Sequence, residues 1–433
     1  MTTYLKKNRT HIAIILLTAI LFNVATLFLP PNFRGLSLYS LLFIFDVIVL
    51  IPFFSILNSW NKHKQKIFLV VYWLPFTLLV IIILTAIFFH FPDWTTHIKI
   101  FVATLLFALY FSHFLLCAFL LITCLIRWWT KSKRTVNISL FFGISATAVL
   151  FVVCLLAPFL WTVTPQITKV KIASKEIPES FSGYRIVHIS DLHCDFFRNE
   201  KPFQSMVDSI NSLNPDLVMI TGDVVTFRAT EIKRFLNVLQ PMNAKDGIYA
   251  VMGNHDYGSY YNRWKTWEQV FKNQDELFGY YQQLQWHLLR NEAVYIEKNG
   301  DTIVVAGTEN QCMREAHYPC KGDFRLALQN VPEHFPVILM THDPIYWEKE
   351  ISKDKRPVML TLSGHSHGLQ IGYRTNTFQW SVLNAFKKYG MGLYQENDRY
   401  LYVNTGFGVV GFPFRIGLRP EITVLTLDNS YEL

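Results

Sequence analysis

Five long apolar stretches, His11–Leu29, Leu36–Leu57, Ile67–Phe89, Ile100–Ile126 and Ile138–Trp161, fill the first 161 of 433 residues and then stop. Each is close to the roughly 20 residues a helix needs to cross about 30 Å of hydrocarbon. Trp60, Trp94, Trp128, Trp129 and Trp161 stand at stretch ends, where interfacial aromatics belong. A signal peptide accounts for one such stretch and not five, and the first lacks a small-residue cleavage site. The pattern predicts a bundle of five transmembrane helices over residues 1–161 and a separate domain over 162–433.

Charge is divided along the same line. Residues 1–161 hold 12 Lys and Arg against Asp46 and Asp93, a net of +10, whereas the remainder holds 28 against 30 acidic residues, a net of −2. The basic balance therefore belongs to the membrane half and gives no sign of nucleic-acid binding. Lys6, Lys7 and Arg9, then Lys62, Lys64 and Lys66, then Arg127, Lys131, Lys133 and Arg134 flank alternate ends of the spans, with only Arg34 and Lys99 opposite. The positive-inside rule then makes the N-terminus cytoplasmic and the domain after Trp161 extracytoplasmic. For a bacterial inner membrane that side is the periplasm.

Cys117, Cys124 and Cys154 lie within spans as small apolar residues. Cys312 and Cys320 share a polar loop, as a disulfide in an oxidising compartment or as two free thiols. Cys194 follows His193 and reads as packed rather than catalytic. Asp46 and His113 are ionisable groups within spans, and the reading favoured for them is a polar contact between helices.

Past the membrane half the pattern is α/β. Apolar strands at Tyr184–Ser190, Leu217–Thr221, Ile248–Met252, Val337–Met340 and Val358–Leu362 each run into a polar island. The islands are Asp191-Leu192-His193, Gly222-Asp223, Gly253-Asn254-His255-Asp256, Thr341-His342-Asp343 and Gly364-His365-Ser366-His367. Helices are expected near Phe203–Leu213 and Glu231–Leu239. Further strands are expected at Thr302–Ala306, Leu401–Asn404 and Glu421–Leu427, with Ile167–Lys175 as a link. Ligands of open α/β sheets bind beyond the carboxyl ends of strands, so the five islands should meet in one crevice.

Carboxylate, amide and imidazole together suit two divalent cations of the Mn, Fe or Zn kind. Asp223 is the natural bridge, since one carboxylate offers two oxygens. A hydroxide held between such metals forms at neutral pH and attacks a phosphate ester or anhydride in line. His255 is placed to protonate the leaving oxygen, with Asp256 orienting its ring. Taken singly, Asp-x-His or Gly-Asp is an ordinary turn. The ordered set, each member after an apolar run, is what carries the metal reading.

From Tyr184 to Leu427 that set resembles the calcineurin-like metallophosphoesterase superfamily. The resemblance implies a four-layer α/β/β/α sandwich with two mixed sheets. It implies one metal at Asp191, His193, Asp223 and His367, a second at Asp223, Asn254, His342 and His365, and His255 as the catalytic histidine. Asn404-Thr405-Gly406 through Arg419-Pro420-Glu421-Ile422 looks like the membrane-associated YkuE and YaeI branch, which includes a UDP-2,3-diacylglucosamine pyrophosphatase of lipid A synthesis. Two departures stand out. Thr226 replaces an Asp common in relatives, and five spans replace a single anchor.

Arg415 and Arg419 are candidates to hold a substrate phosphate. The aromatic segment Tyr257–Trp286 reads as a core helix or as a lid beside the site. The expected protein is a multi-pass membrane phosphodiesterase or pyrophosphatase acting on a phosphate ester of a lipid or membrane-associated molecule. The rival readings are a UDP-2,3-diacylglucosamine pyrophosphatase-like enzyme and a non-catalytic membrane sensor or scaffold.

Overall fold

The computed structural model describes residues 36–160, 164–311, 321–356, 358–375 and 377–430. These residues form two compact units. The first contains four helices, α1 (Leu36–Leu57), α2 (Lys62–Phe89), α3 (Thr96–Thr130) and α4 (Lys133–Leu160). Phe53, Tyr72, Cys117, Leu120 and Val136 pack at its centre, while Val70, Phe101, Leu125 and Phe141 face outward. That inversion, apolar outside as well as inside, is what a lipid-facing bundle shows.

The expectation of five spans is corrected to three among the described residues: Lys62–Ala86, Thr96–Thr130 and Lys133–Pro158. In α1 the described apolar part is only Leu41–Leu57, short of the roughly 20 residues a crossing needs. Its middle carries the buried carboxylate of Asp46. His11–Leu29, the basic residues before it, Arg34 and Trp161 lie outside the described residues, as do Cys312 and Cys320.

The second unit is built on two six-stranded mixed sheets and a hairpin. Its strands in chain order are β1 (Gln166–Ala173), β2 (Arg185–Ile189), β3 (Leu217–Ile220), β4 (Ile248–Ala250), β5 (Trp286–Leu288), β6 (Glu292–Lys298) and β7 (Asp301–Gly307). They continue with β8 (Val337–Met340), β9 (Leu360–Ser363), β10 (Gly372–Arg374), β11 (Gln379–Ser381), β12 (Gly392–Glu396), β13 (Arg399–Val403) and β14 (Glu421–Asp428). One sheet runs β1-β14-β2-β3-β4-β5, the other β12-β13-β9-β8-β7-β6, and β10 pairs with β11. The segment read as a link is thus a strand, because β1 pairs in parallel with β14 from Gln166↔Glu421 to Ala173↔Asp428.

Parallel pairs β2–β3, β3–β4 and β4–β5 require crossovers. The first is α5 (Lys201–Ser212), which buries Phe203, Met206, Val207 and Ile210 at helical spacing. The second is a 3-10 turn, Ala229–Phe235, followed by the short α6 (Leu236–Leu239) where one helix was expected. The third contains α7 (Trp267–Gln283), whose Leu277 and Tyr281 enter the core while Trp267 and Phe271 stay exposed.

Strand alternation divides the apolar residues among three cores. Val187 and Ile189 face helices α5 and α7 in one. Ile186, Leu217 and Met219 meet Val305, Ile338, Leu360 and Tyr402 in a second, which joins the two sheets. Val304, Leu339 and Val403 pack on Phe324, Tyr346 and Trp347 in the third. A one-residue register slip would exchange these faces, so burial on both sides holds the strand ends in place.

A candidate dinuclear metal centre

At the carboxyl ends of β2, β3, β4, β8 and β9 the backbone turns sharply. Asp191, His193, Asp223, His365 and His367 all adopt left-handed φ, of 53°, 44°, 54°, 62° and 48°. Such conformations cost on the order of 1–3 kcal/mol each for residues other than glycine and persist where surrounding structure over-determines them. Here the constraint is visible. The N–H groups of His365, Gly408 and His193 donate to Asp191 Oδ2 (3.0 Å), Asp191 O (2.7 Å) and Asp223 O (3.0 Å). A Cβ on Gly222 would strike the backbone of Gly253, and one on Gly364 would strike Ser190 and Asp191, so both island glycines permit the close approach of loops.

The side chains these turns re-aim lie against one another. His367 Nε2 is 3.2 Å from Asp191 Oδ1. Asp223 Oδ2 lies 3.7 Å from His193 Nε2 on one side and 3.1 Å from His342 Nε2 on the other. Its second oxygen, Oδ1, is taken by the N–H of His255 at 2.8 Å. One oxygen, rather than the two anticipated, therefore faces both histidines. His342 Nε2 also lies 3.1 Å from Asn254 Oδ1 and 3.1 Å from His365 Nδ1.

Proton positions follow from the partners. His342 Nδ1 is 2.7 Å from Thr221 O and must donate to it, leaving Nε2 as a lone pair in the neutral ring. Asn254 Nδ2 donates to Tyr260 Oη (2.8 Å), which turns Oδ1 inward. A carboxylate oxygen, an amide oxygen and imidazole nitrogens then converge on one point, which calls for positive charge there, supplied by a metal ion or by a second proton on His342.

Electrostatics show how strongly this point draws positive charge. Burial opposes ionisation of Asp223, yet His342 beside it holds its carboxyl well below the usual range. Burial lowers His342, and Asp223 overrides it to raise the ring to about 10. Burial and the neighbouring His255 push His193 down.

Metal ions fit these residues. Asp191, His193 and His367 form one group with ligand atoms within 4.8 Å of one another, Asp223, His342 and His365 a second, and His193, Asp223 and His255 a third. The Nε2 atoms of His193 and His367 are buried without a hydrogen-bond partner among the described residues. Donors of mixed carboxylate, amide and imidazole type suit a divalent transition ion.

Three assignments change. Asp256 does not touch the His255 ring: its Oδ2 accepts from the N–H of Asp223 (2.7 Å) and of Gly253 (2.9 Å), and Oδ1 accepts from Val225 (3.1 Å). The ring is oriented by Thr226, whose carbonyl accepts from His255 Nδ1 at 2.7 Å, and it stacks on Tyr260 at 3.9 Å. Arg415 is buried and clamps the carbonyls of Gly406 (3.0 Å) and Gly408. Arg419 donates to Thr164 O at 2.9 Å. Arg419 is thus held by a backbone oxygen, whereas Arg415 Nη2 also lies 3.3 Å from His367 Nδ1 and its Nη1 is buried without a hydrogen-bond partner among the described residues. Cys194 is buried and free, with burial raising its thiol pKa, as befits a packed residue.

Residues not singled out from sequence complete the frame. Glu231 accepts N–H groups of Thr226, Phe227 and Arg228 at 2.7, 2.9 and 3.0 Å. Tyr260, part of the aromatic segment read as a core helix or a lid beside the site, fixes both Asn254 and His255. Asp256→Ala is expected to destabilise the domain by about 3 kcal/mol or more, since each buried N–H left unpaired costs about 1–3 kcal/mol. Denaturant unfolding would measure this, and unchanged stability would refute the backbone role.

Related proteins place these features. A zebrafish (Danio rerio) transmembrane protein with metallophosphoesterase domain is 30% identical over 273 residues, covering 61% of this chain and 58% of that one. The uncharacterized metallophosphoesterase YkuE of Bacillus subtilis is 28% identical over 270 residues, 61% of this chain and 86% of its own. UDP-2,3-diacylglucosamine pyrophosphatase LpxG of Chlamydia muridarum is 25% identical over 292 residues, 56% and 84% respectively. Residues 184–369 match the calcineurin-like phosphoesterase family, and the chain accordingly carries a metallophosphoesterase domain of the calcineurin-like type.

Proposed function

We propose that this protein is a membrane-anchored metallophosphoesterase that hydrolyses a phosphodiester or pyrophosphate bond of a lipid or lipid-linked substrate. Asp191, His193, Asp223 and His367 would hold one divalent cation, and Asp223, Asn254, His342 and His365 the other. The observation that carries this reading is Asp223 Oδ2 facing His193 Nε2 and His342 Nε2 at once. Two cations seated there supply an activated water and charge neutralisation for the phosphate oxygens. The three cores fit an α/β/β/α layering, with a membrane domain over 1–161 and the phosphoesterase domain over 162–433.

His255 handles the proton. Nδ1 donates to Thr226 O, so Nε2 is the nitrogen left for substrate. Burial holds its pKa below 6.5, which leaves Nε2 a lone pair in the resting site. The negative charge of an arriving phosphate favours the protonated ring, and Nε2–H then donates to the leaving oxygen. His255→Ala should lower kcat about 10²–10⁴-fold on an alkyl diester, the usual worth of a general acid. The loss should be much smaller on a nitrophenyl diester, whose leaving group needs no proton. Equal losses on both would remove His255 from that role. A chelator should abolish turnover, and added manganese should restore it.

Support for a lipid comes from the surroundings. A cavity of about 170 Å³ beside His365 has Ile345, Leu369 and Leu383 on its walls, with Lys387 and the carboxylates of Asp343 and Glu348 among its polar groups. On the β10–β11 hairpin Tyr373, Phe378 and Trp380 are exposed. Orientation rests on charge alone: Lys62, Lys64 and Lys66 lie in the first turns of α2, and Arg127, Lys131, Lys133 and Arg134 cluster where α3 ends and α4 begins. With those ends cytoplasmic, the three candidate spans put the phosphoesterase domain on the opposite side. The similarity to LpxG favours a second reading, a UDP-2,3-diacylglucosamine pyrophosphatase-like enzyme with a cytoplasmic site. A reporter fused after α4 separates the two, because a reporter active in the cytoplasm excludes the first orientation.

A further inference from the structure

A second cluster of ligating side chains lies inside the membrane unit. Asp46 on α1, Tyr72 on α2, and His113 and Cys117 on α3 are all buried, with exposures of 3%, 0%, 4% and 0%. His113 Nε2 is 2.8 Å from Asp46 Oδ1, and Cys117 Sγ is 3.6 Å from that nitrogen and 4.0 Å from that oxygen. Tyr72 Oη is 3.7 Å from Cys117 Sγ and donates to the Asp46 carbonyl at 2.8 Å. An Asp–His hydrogen bond between two helices would need neither the thiol nor the phenol.

We propose that Asp46, His113 and Cys117 bind a zinc ion of their own, distinct from the phosphoesterase centre, with Tyr72 beside it. Around a tetrahedral zinc, oxygen, nitrogen and sulfur ligands lie about 3.3–3.6 Å apart. The nitrogen–sulfur edge already has that length, and the other two need shifts of about half an ångström. His113 and Cys117, four residues apart, share one face of α3, a chelating spacing. Thiolate with imidazole selects zinc over calcium or magnesium, which demand oxygen shells.

Charge balance favours the ion strongly in an apolar bundle. One carboxylate and one thiolate offset Zn²⁺, so with neutral imidazole the complex carries no net charge, which suits an apolar surrounding. Binding releases the Cys117 thiol proton to solvent. A cavity of about 510 Å³ reaches Tyr72 and His113 and offers an entry path. The ion would tie α1 to α3 through Asp46, His113 and Cys117, in addition to the apolar packing of Val49, Phe53 and Ile56.

The test uses the full chain in detergent, stripped by a chelator and reloaded with Co²⁺. A thiolate-to-cobalt absorption in the near ultraviolet is expected. None of the three ligand groups in the phosphoesterase domain contains cysteine, so that band reports the membrane site. Cys117→Ser should abolish it, while Cys124→Ser, Cys154→Ser and the Cys312→Ser, Cys320→Ser pair should keep it. Turnover of an aryl phosphodiester checks that Cys117→Ser has folded. Should it not fold, zinc X-ray absorption on the Cys312→Ser, Cys320→Ser chain decides, with one sulfur neighbour expected at about 2.3 Å. Absence of the band, its survival in Cys117→Ser, or a sulfur-free zinc shell would overturn the proposal.

Discussion

Asp223→Ala should reduce phosphodiester hydrolysis by at least about 10³-fold in kcat/KM, roughly 4 kcal/mol of transition-state stabilisation. The size follows from how many partners one side chain serves. Oδ2 faces His193 and His342, and Oδ1 holds the N–H of His255. Removing the carboxylate takes the shared oxygen from both candidate metal positions and frees the loop that carries the proton donor. Metal content should fall below that of Asn254→Ala, which strips one position only. Asp223→Asn keeps the shape and removes the charge, so it should resemble alanine in metal content while retaining more stability. An Asp223→Ala enzyme that keeps both metals and its turnover would mean that the centre lies elsewhere.

Glu421→Gln should cost about 3–5 kcal/mol of stability, the usual effect of breaking a buried ion pair from one side. Glu421 is fully buried and accepts from Arg374 Nη1 (2.5 Å), Tyr402 Oη (2.6 Å), and the N–H and Oγ1 of Thr405 (both 2.8 Å). Through Thr405 it holds the loop whose Gly408 N–H binds Asp191 O, so the pair supports the site from behind. The pH signature has a definite sign. Burial alone would raise the Glu421 carboxyl, but Arg374 overrides it and lowers the pKa from 4.5 to about 2. A carboxylate depressed on folding contributes stability above 4.5 that is lost as pH falls through about 2, here on the order of 3 kcal/mol. Acid unfolding of the wild type should therefore be steeper in that window than that of Glu421→Gln. Arg374→Met combined with Glu421→Met should recover part of the loss, because no buried charge is then left alone.

The membrane half was legible as far as composition reaches. Apolar length identified α2, α3 and α4 as candidate crossings. It also admitted Leu36–Leu57, of which only Leu41–Leu57 counts as a short apolar helix. Strands β2, β3, β8 and β14 were readable because each is an apolar run ended by polar or turn residues. Strand β1 was not, since its alternating Lys169, Val170 and Lys171 look like a linker until β14 supplies a partner. The short strands β5, β10 and β11 likewise exist through their pairing and have little intrinsic signal.

Within the site, adjacency in sequence misled once. Asp256 follows His255 directly, yet the tight turn points the carboxylate back to its own loop and to the N–H groups of Asp223 and Val225. Arg415 gives Nε and Nη2 to the carbonyls of Gly406 and Gly408 and keeps Nη1 buried without a partner among the described residues, contacts that its residue type alone did not announce. Thr226, in the place of an Asp common in relatives, contributes its carbonyl to His255 and sets its hydroxyl 3.3 Å from His193 Nδ1.

The sequence by itself determined the kinds of donor, their order, and their attachment to strand ends, because each island is coded by contiguous residues. Only the tertiary structure decided which atoms meet. His365 reaches Asp191 across 174 residues and His342 reaches Thr221 across 121. Those encounters depend on two sheets packing through a shared core, and packing is a property of the whole chain rather than of any stretch of it.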